Sequence, residues 1–137
     1  MVYSRRVEVA TTAAKQALDI TSKVAKVVSD SSVRSGLALI FTMHTTTGLF
    51  VNERESGLQA DVESALSKLV PANSAYLHDR VDDNAASHIQ SVLLGPSLVV
   101  PVTDGRLDLG TWQSLFLAER DGPRQRTLVI KVIGDDR

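Results

Sequence analysis

A chain of 137 residues, 43% hydrophobic and 23% charged, is long enough to bury one core and too apolar to be disordered or fibrous. Its 15 Lys and Arg against 16 Asp and Glu leave a net charge of -1. No overall field therefore draws it to nucleic acid or an anionic membrane, and any anion site is local. With no cysteine, disulfides, thiolate nucleophiles and cysteine-held zinc are excluded together.

The N-terminal segment alternates. Tyr3, Arg5, Val7 and Val9 fall on one side and Ser4, Arg6 and Glu8 on the other, as in a strand with one drier face. The segment lacks the apolar stretch of a signal peptide, and no run approaches the roughly 20 apolar residues of a membrane helix. A cytoplasmic protein with no membrane partner is expected. Asp19–Ile20–Thr21–Ser22 reads as a helix start, and Ile20, Val24, Val27 and Val28 then share one helical face. After Gly36, Leu37–Phe41 is the most apolar run of the chain and predicts a buried strand.

That run breaks into His44–Thr45–Thr46–Thr47–Gly48 and closes on Asn52–Glu53, polar chemistry at the end of a strand, where binding and catalytic groups tend to sit. Leu58, Val62, Ala65, Leu66 and Leu69 form a helical stripe that Pro71 stops, with Asp61 flanking its inward face. Residues 72–84 are polar enough for a long loop. Asp82 or Asp83 is placed to cap a helix carrying Ala85, Ile89, Val92 and Leu93, with Asn84, His88 and Ser91 as a polar stripe beside them and Gly95–Pro96 as its end. Ser97–Val102 predicts a strand in which Pro101 marks an edge or an end. Gly105 and Gly110 bracket a turn segment, Trp112–Glu119 alternates as a strand, and Asp121–Gly122–Pro123 predicts a hairpin turn into residues 124–133. The order predicts a single compact α+β domain over residues 1–137, with helices packed on a mainly antiparallel β-sheet or sandwich.

Three clusters carry chemistry. His44, His78 and His88 lie in polar surroundings near acids and amides, and imidazole both ligates metals and titrates near neutrality. With Asp61, Asp79 or Asp83 they suit a divalent metal site, although no pair has HxH or HExxH spacing; each could instead bond locally. Thr45, Thr46 and Gly48 offer hydroxyls and backbone donors to a phosphate or carboxylate, or form a strand corner, and Glu53 either caps the next helix or sets a carboxylate beside His44. Arg124 and Arg126, two residues apart, make an anion clamp or pair with Glu119 and Asp121. Trp112, the sole tryptophan, suits a core or an interface. The chain lacks Gly-x-Ser-x-Gly, P-loop and Rossmann patterns, and it lacks the basic, aromatic-interleaved face of a nucleic-acid binder.

Six segments, in order, resemble the YjbQ family over nearly the whole chain: His44–Leu49 with Asn52–Glu53; Tyr76–Asp79; Asp83–Ala85 with His88; Gly95–Ser97 with Val100–Val102; Gly110–Gln113; and Glu119–Arg124. The resemblance implies a YjbQ-like α+β fold, a homotrimer, and one pocket that gathers these motifs. It also implies a secondary thiamine-phosphate synthase activity, joining a pyrimidine diphosphate to a thiazole phosphate with release of pyrophosphate. Within that expectation His44, Glu53, His78 and His88 are the catalytic set, and the three histidines are also the candidate metal ligands. Thr45, Thr46, Gly48, Asn84, Arg124 and Arg126 hold a small phosphorylated molecule, and zinc or magnesium is the expected cofactor. The alternative expectation is a non-catalytic trimeric module that binds a metal or a small anion.

Overall fold

The computed structural model describes residues Met1–Arg137. In chain order it has β1 (Val2–Ala10), β2 (Gln16–Asp19), α1 (Thr21–Ser31), β3 (Ser35–Thr42), β4 (Thr47–Asn52) and α2 (Ser56–Leu69). After a 3-10 turn at Leu77–Arg80 come α3 (Ala85–Leu94), β5 (Ser97–Thr103), β6 (Arg106–Leu107), β7 (Ser114–Glu119) and β8 (Gln125–Asp135). Two antiparallel sheets result, one ordered β1-β8-β3-β5-β6 and the other β2-β7-β4. The expected α+β class holds.

The alternation read in β1 is realised, with Val9 buried and Tyr3, Arg5 and Val7 half-buried on the inner side. Inner residues of the larger sheet (Ala38, Ile40, Val100, Val102, Leu128, Ile130) meet Leu49, Leu115 and Leu117 of the smaller sheet and the Ile20/Val24/Val27/Val28 face of α1. Each such Val, Leu or Ile side chain contributes about 1.5–3 kcal/mol by leaving water. Asp19 starts α1 by accepting from the Thr21 N–H at 2.9 Å and from the Thr21 hydroxyl. Pro101 sits where β5 has almost no outer neighbour, because β6 pairs only with Val102 and Thr103.

Several expectations fail for local reasons. Asp121–Pro123 is no hairpin: β7 belongs to the smaller sheet and β8 to the larger, so this turn carries the chain from one sheet to the other. The cap of α2 is Glu55, which accepts from the Gly57 and Leu58 N–H groups, not Glu53. Neither Asp82 nor Asp83 caps α3; the Ala85 N–H donates to Asp79 Oδ1 at 3.3 Å. Asp61 and Leu69 are exposed, and Trp112, 72% exposed, is outside the core.

The largest reversal is in α3. Of its expected apolar stripe only Ala85 is buried; Ile89, Val92 and Leu93 face outward, while Ala86, Ser87 and Gln90 are buried beside Ala85. The polar residues turn inward because backbone carbonyls await them there. Ser87 donates to Arg120 O at 2.8 Å, Gln90 to Val70 O at 3.1 Å, and Ser91 to Thr47 O. Gly48 makes this seating possible. A Cβ at Gly48 would stand 2.5 Å from the Leu94 Cβ. Gly48→Ala is expected to cost about 1–3 kcal/mol by overpacking, seen as a lower urea midpoint with an unchanged slope. A variant as stable as the wild type would show that α3 does not depend on this contact.

Candidate functional site

The turn between β3 and β4 places His44, Thr45 and Thr46 at one end of the two sheets. His44 Nε2 accepts the Thr127 N–H at 2.8 Å, and the Met43 N–H donates to Thr127 O at 3.2 Å, so this corner is laced to β8. Accepting at Nε2 requires that nitrogen to be unprotonated. Burial and then the nearby Arg126 and Arg124 charges lower the His44 pKa from its usual value, outweighing Glu119 and Glu8. His44 is a neutral, positioned imidazole.

Beneath it lies a buried network. Arg126, 3% exposed, donates Nε to Glu119 Oε1 at 2.8 Å and Nη2 to Glu119 Oε2, while Nη2 also reaches Thr46 Oγ1 at 2.9 Å. Glu119, fully buried, accepts in addition from the Thr11 hydroxyl at 2.7 Å and the Asp121 N–H at 3.2 Å. Burial pushes the Glu119 pKa up, but these bonds and the Arg126 charge together hold it below the usual carboxylate value. The pair ties β7 to β8 across the two sheets. Arg126 is therefore committed to Glu119 and does not form a two-pronged clamp with Arg124.

The N-terminal end of α3 supplies the opposite wall. Asn84 Nδ2 donates to Asp121 Oδ2 at 2.9 Å, which turns its carbonyl oxygen toward His78 Nε2, 3.1 Å away. This orientation puts the His78 proton on Nε2. The His78 ring meets His88 edge-to-face, with centroids 4.8 Å apart and planes at 82°. Arg124 donates Nε to Asp121 O at 2.8 Å and Nη2 to Asp121 Oδ2 at 3.3 Å, leaving Nη1 without a bond in the chain. His78, Asn84, Asp121 and Arg124 thus form one continuous polar line.

An open basin lies between the walls, lined by His44, Thr45, Thr46, Asn84, His88, Arg124 and Arg126 among others. Asp82 and Asp121 also border it; the sequence pointed to Asp82 only as a cap and to Asp121 only as a turn residue and a partner for the arginines. Three expected members do not line it: His78 lies behind His88 and Asn84, and two others lie elsewhere. Glu53 borders a separate cleft beneath α2, and Gly48 is buried in β4 against α3 instead of presenting its backbone to a ligand. The three histidines do not converge: His78 and His88 touch, while His44 bonds Thr127. No group of three His, Asp or Glu side chains is arranged to hold a metal ion. Trp112 and Gln113 precede the start of β7, whereas the basin lies at its Glu119 end, so the Gly110–Gln113 motif does not join the basin within one chain.

A sequence profile described as UPF0047 protein YjbQ-like matches residues 5–135. A UPF0047 protein of Methanothermobacter thermautotrophicus is 45% identical over 133 residues, covering 97% of this chain and 93% of that protein. YugU of Bacillus subtilis, described as a UPF0047 protein, is 35% identical over 131 residues, covering 95% of this chain and 98% of that protein. A solved YbjQ-like protein of unknown function from Sulfolobus solfataricus has a TM-score of 0.96 at 35% identity, covering 98% of this chain and 99% of that one. The expected thiamine-phosphate synthase function is overturned. These relatives are described without any activity or as of unknown function, and the chain presents neither a metal-ligand set nor a free pair of arginines for a diphosphate.

Proposed function

Because the chain belongs to the YjbQ (UPF0047) family, whose matched members are described without an activity, we propose a function from its own side chains: the basin is a general acid–base site for a small anionic molecule. The observation that carries this reading is the edge-to-face His78/His88 pair, oriented through Asn84 and Asp121, facing an arginine with an unused donor. A proton-transfer group works when it is fixed within reach of its substrate and has a neighbour that sets its tautomer and angle. His88 is the proton-transfer residue in this reading, and His78 is its positioning partner. Arg124 Nη1 and the exposed Thr45 hydroxyl receive a phosphate or carboxylate. His44, Thr46, Arg126 and Glu119 form the rigid floor.

Inorganic phosphate is the direct probe. Titrated into the protein, it is expected to shift the His88 and His44 imidazole resonances together and to bind about 10-fold more weakly in Arg124→Ala, as for loss of one charge-assisted contact. Undisturbed imidazole resonances at millimolar phosphate would overturn the reading.

The outer face of the larger sheet supports self-association. Leu37, Phe41, Val99 and Ile133 stand there 39–60% exposed, on three adjacent strands. In this reading copies of the chain cover that face as a homotrimer. Sedimentation equilibrium is expected to give three times the 14.8 kDa chain mass and to fall to one chain mass in Phe41→Glu. A wild-type protein of single-chain mass would contradict it.

A further inference from the structure

Of the three α-helices, α2 is the least buried. Of its fourteen residues only Leu66 is buried. The helix lies over the outer face of the smaller sheet, where Ala17 of β2 and Ala118 of β7 leave a hollow. Phe50 of β4 and Leu58, Val62 and Leu66 of α2 close it, and the resulting cleft is separate from the histidine basin. At one end stands Arg120, with only 1% of its side chain exposed. Its guanidinium takes both carboxylate oxygens of Glu63, Nη1 to Oε1 at 3.1 Å and Nη2 to Oε2.

The charges around Arg120 are those of an anion seat. Lys15 approaches the same group, donating to Gln90 Oε1 at 3.3 Å, and Arg120 Nη1 donates to that oxygen at 3.3 Å as well. Burial and the Arg120 charge lower the Lys15 pKa, against the pull of Glu63 and Asp121. Arg120 directly follows β7 and is fixed by burial, but the carboxylate that neutralises it is carried by α2 and is 37% exposed. The two ends of α2 also differ. Gln90 donates to Val70 O just beyond the C-terminal end, whereas Glu55, the cap of the N-terminal end, bonds only within its own turn. The C-terminal end is thus held by a buried side chain, whereas the N-terminal end is tied by the exposed Arg54–Asp19 ion pair at 3.8 Å.

We propose that the cleft beneath α2 binds a small apolar-bodied carboxylate, whose carboxylate takes the place of Glu63 on Arg120 while its body lies between α2 and the Ala17/Ala118 floor. Exchanging one carboxylate for another leaves the buried guanidinium neutralised throughout, so its desolvation is not incurred again. The lining holds one cation, Arg120, beside the carboxylates Glu53 and Glu63 and the amides Asn52 and Gln59, so it suits a singly charged carboxylate better than a doubly charged phosphate ester. Glu63 is an internal occupant of the seat, and α2 lifts as it leaves.

Hexanoate, with hexanol as its uncharged counterpart, tests this in the full-length protein by amide-resonance titration. Hexanoate is expected to shift Leu58, Val62, Leu66 and Ala118 saturably, with hexanol about 10-fold weaker or worse for want of the charge-assisted bond. Glu63→Gln removes the internal competitor's charge and is expected to tighten hexanoate by about 10-fold. Equal binding of the two probes, no shift at these residues at millimolar hexanoate, or weaker binding in Glu63→Gln overturns the proposal. The wild-type comparison decides the matter even if Glu63→Gln folds poorly. A phosphate response of His88 stands or falls independently of it.

Discussion

Glu119→Ala is expected to lower the stability of the fold by about 3–5 kcal/mol, the usual cost of removing one partner of a buried ion pair. The loss comes from what remains. Arg126 keeps its charge at 3% exposure with Thr46 as its only other side-chain partner, the Asp121 N–H loses its acceptor, and Thr11 is left with Arg124 O. Because β7 and β8 sit in different sheets and this pair bridges them, the damage reaches the turn that carries Asp121 and Arg124 into the basin. The same pair gives an acid dependence. The Glu119 pKa is lowered in the folded chain, so its contribution is complete above the unfolded carboxylate value of about 4.3 and declines as pH falls below it. Wild-type stability is therefore expected to decline across that acid range, and Glu119→Gln is expected to lose this part of the slope. A Glu119→Ala urea midpoint equal to the wild type would show that the bridge contributes nothing.

Much of the scaffold was legible in the sequence. The period-two alternation of β1 and the Ile20/Val24/Val27/Val28 face of α1 both read correctly, because each buries one clean apolar side against a core that needs nothing else from it. The reading failed where partners distant in sequence decide. In α3 the apolar stripe pointed the wrong way, because Arg120 O, Val70 O and Thr47 O demand donors and no local pattern reveals carbonyls that lie 20 or more positions away. The turn at Asp121–Pro123 looked like a hairpin from its residues alone, and only the separate pairing of β7 and β8 shows that it crosses between sheets.

The site was partly legible for the same reason. His44, Thr45, Thr46, Asn84, His88, Arg124 and Arg126 do line one basin. Arg124 and Arg126 are two residues apart and were open to two readings; the structure pairs them with Asp121 and Glu119, one pair near the surface and the other buried. Nothing local distinguishes a buried arginine from an exposed one when its carboxylate lies across a sheet boundary. The cleft beneath α2 had no sequence signal beyond the small residues Ala17 and Ala118, which carry meaning only once β2 and β7 are seen to be neighbours.

The strongest effect on activity is expected from His88. A positioned acid or base contributes about 100- to 10,000-fold, so His88→Ala removes most turnover, while His78→Ala, which leaves His88 in place without its partner, costs less. His44→Ala acts differently. It takes the acceptor from Thr127 N–H and loosens the floor, so its loss is expected to show in stability as well as in rate.

The central claim, that this basin transfers protons on a small anionic substrate, is tested most directly by turnover. The untagged wild type is assayed against short phosphomonoesters and hydroxy acids alongside folded His88→Ala. The expected result is turnover of at least one class by the wild type and a loss of about 100-fold or more in His88→Ala, with circular dichroism and urea midpoint unchanged. Equal turnover by His88→Ala, or none by the wild type across both classes, would contradict it.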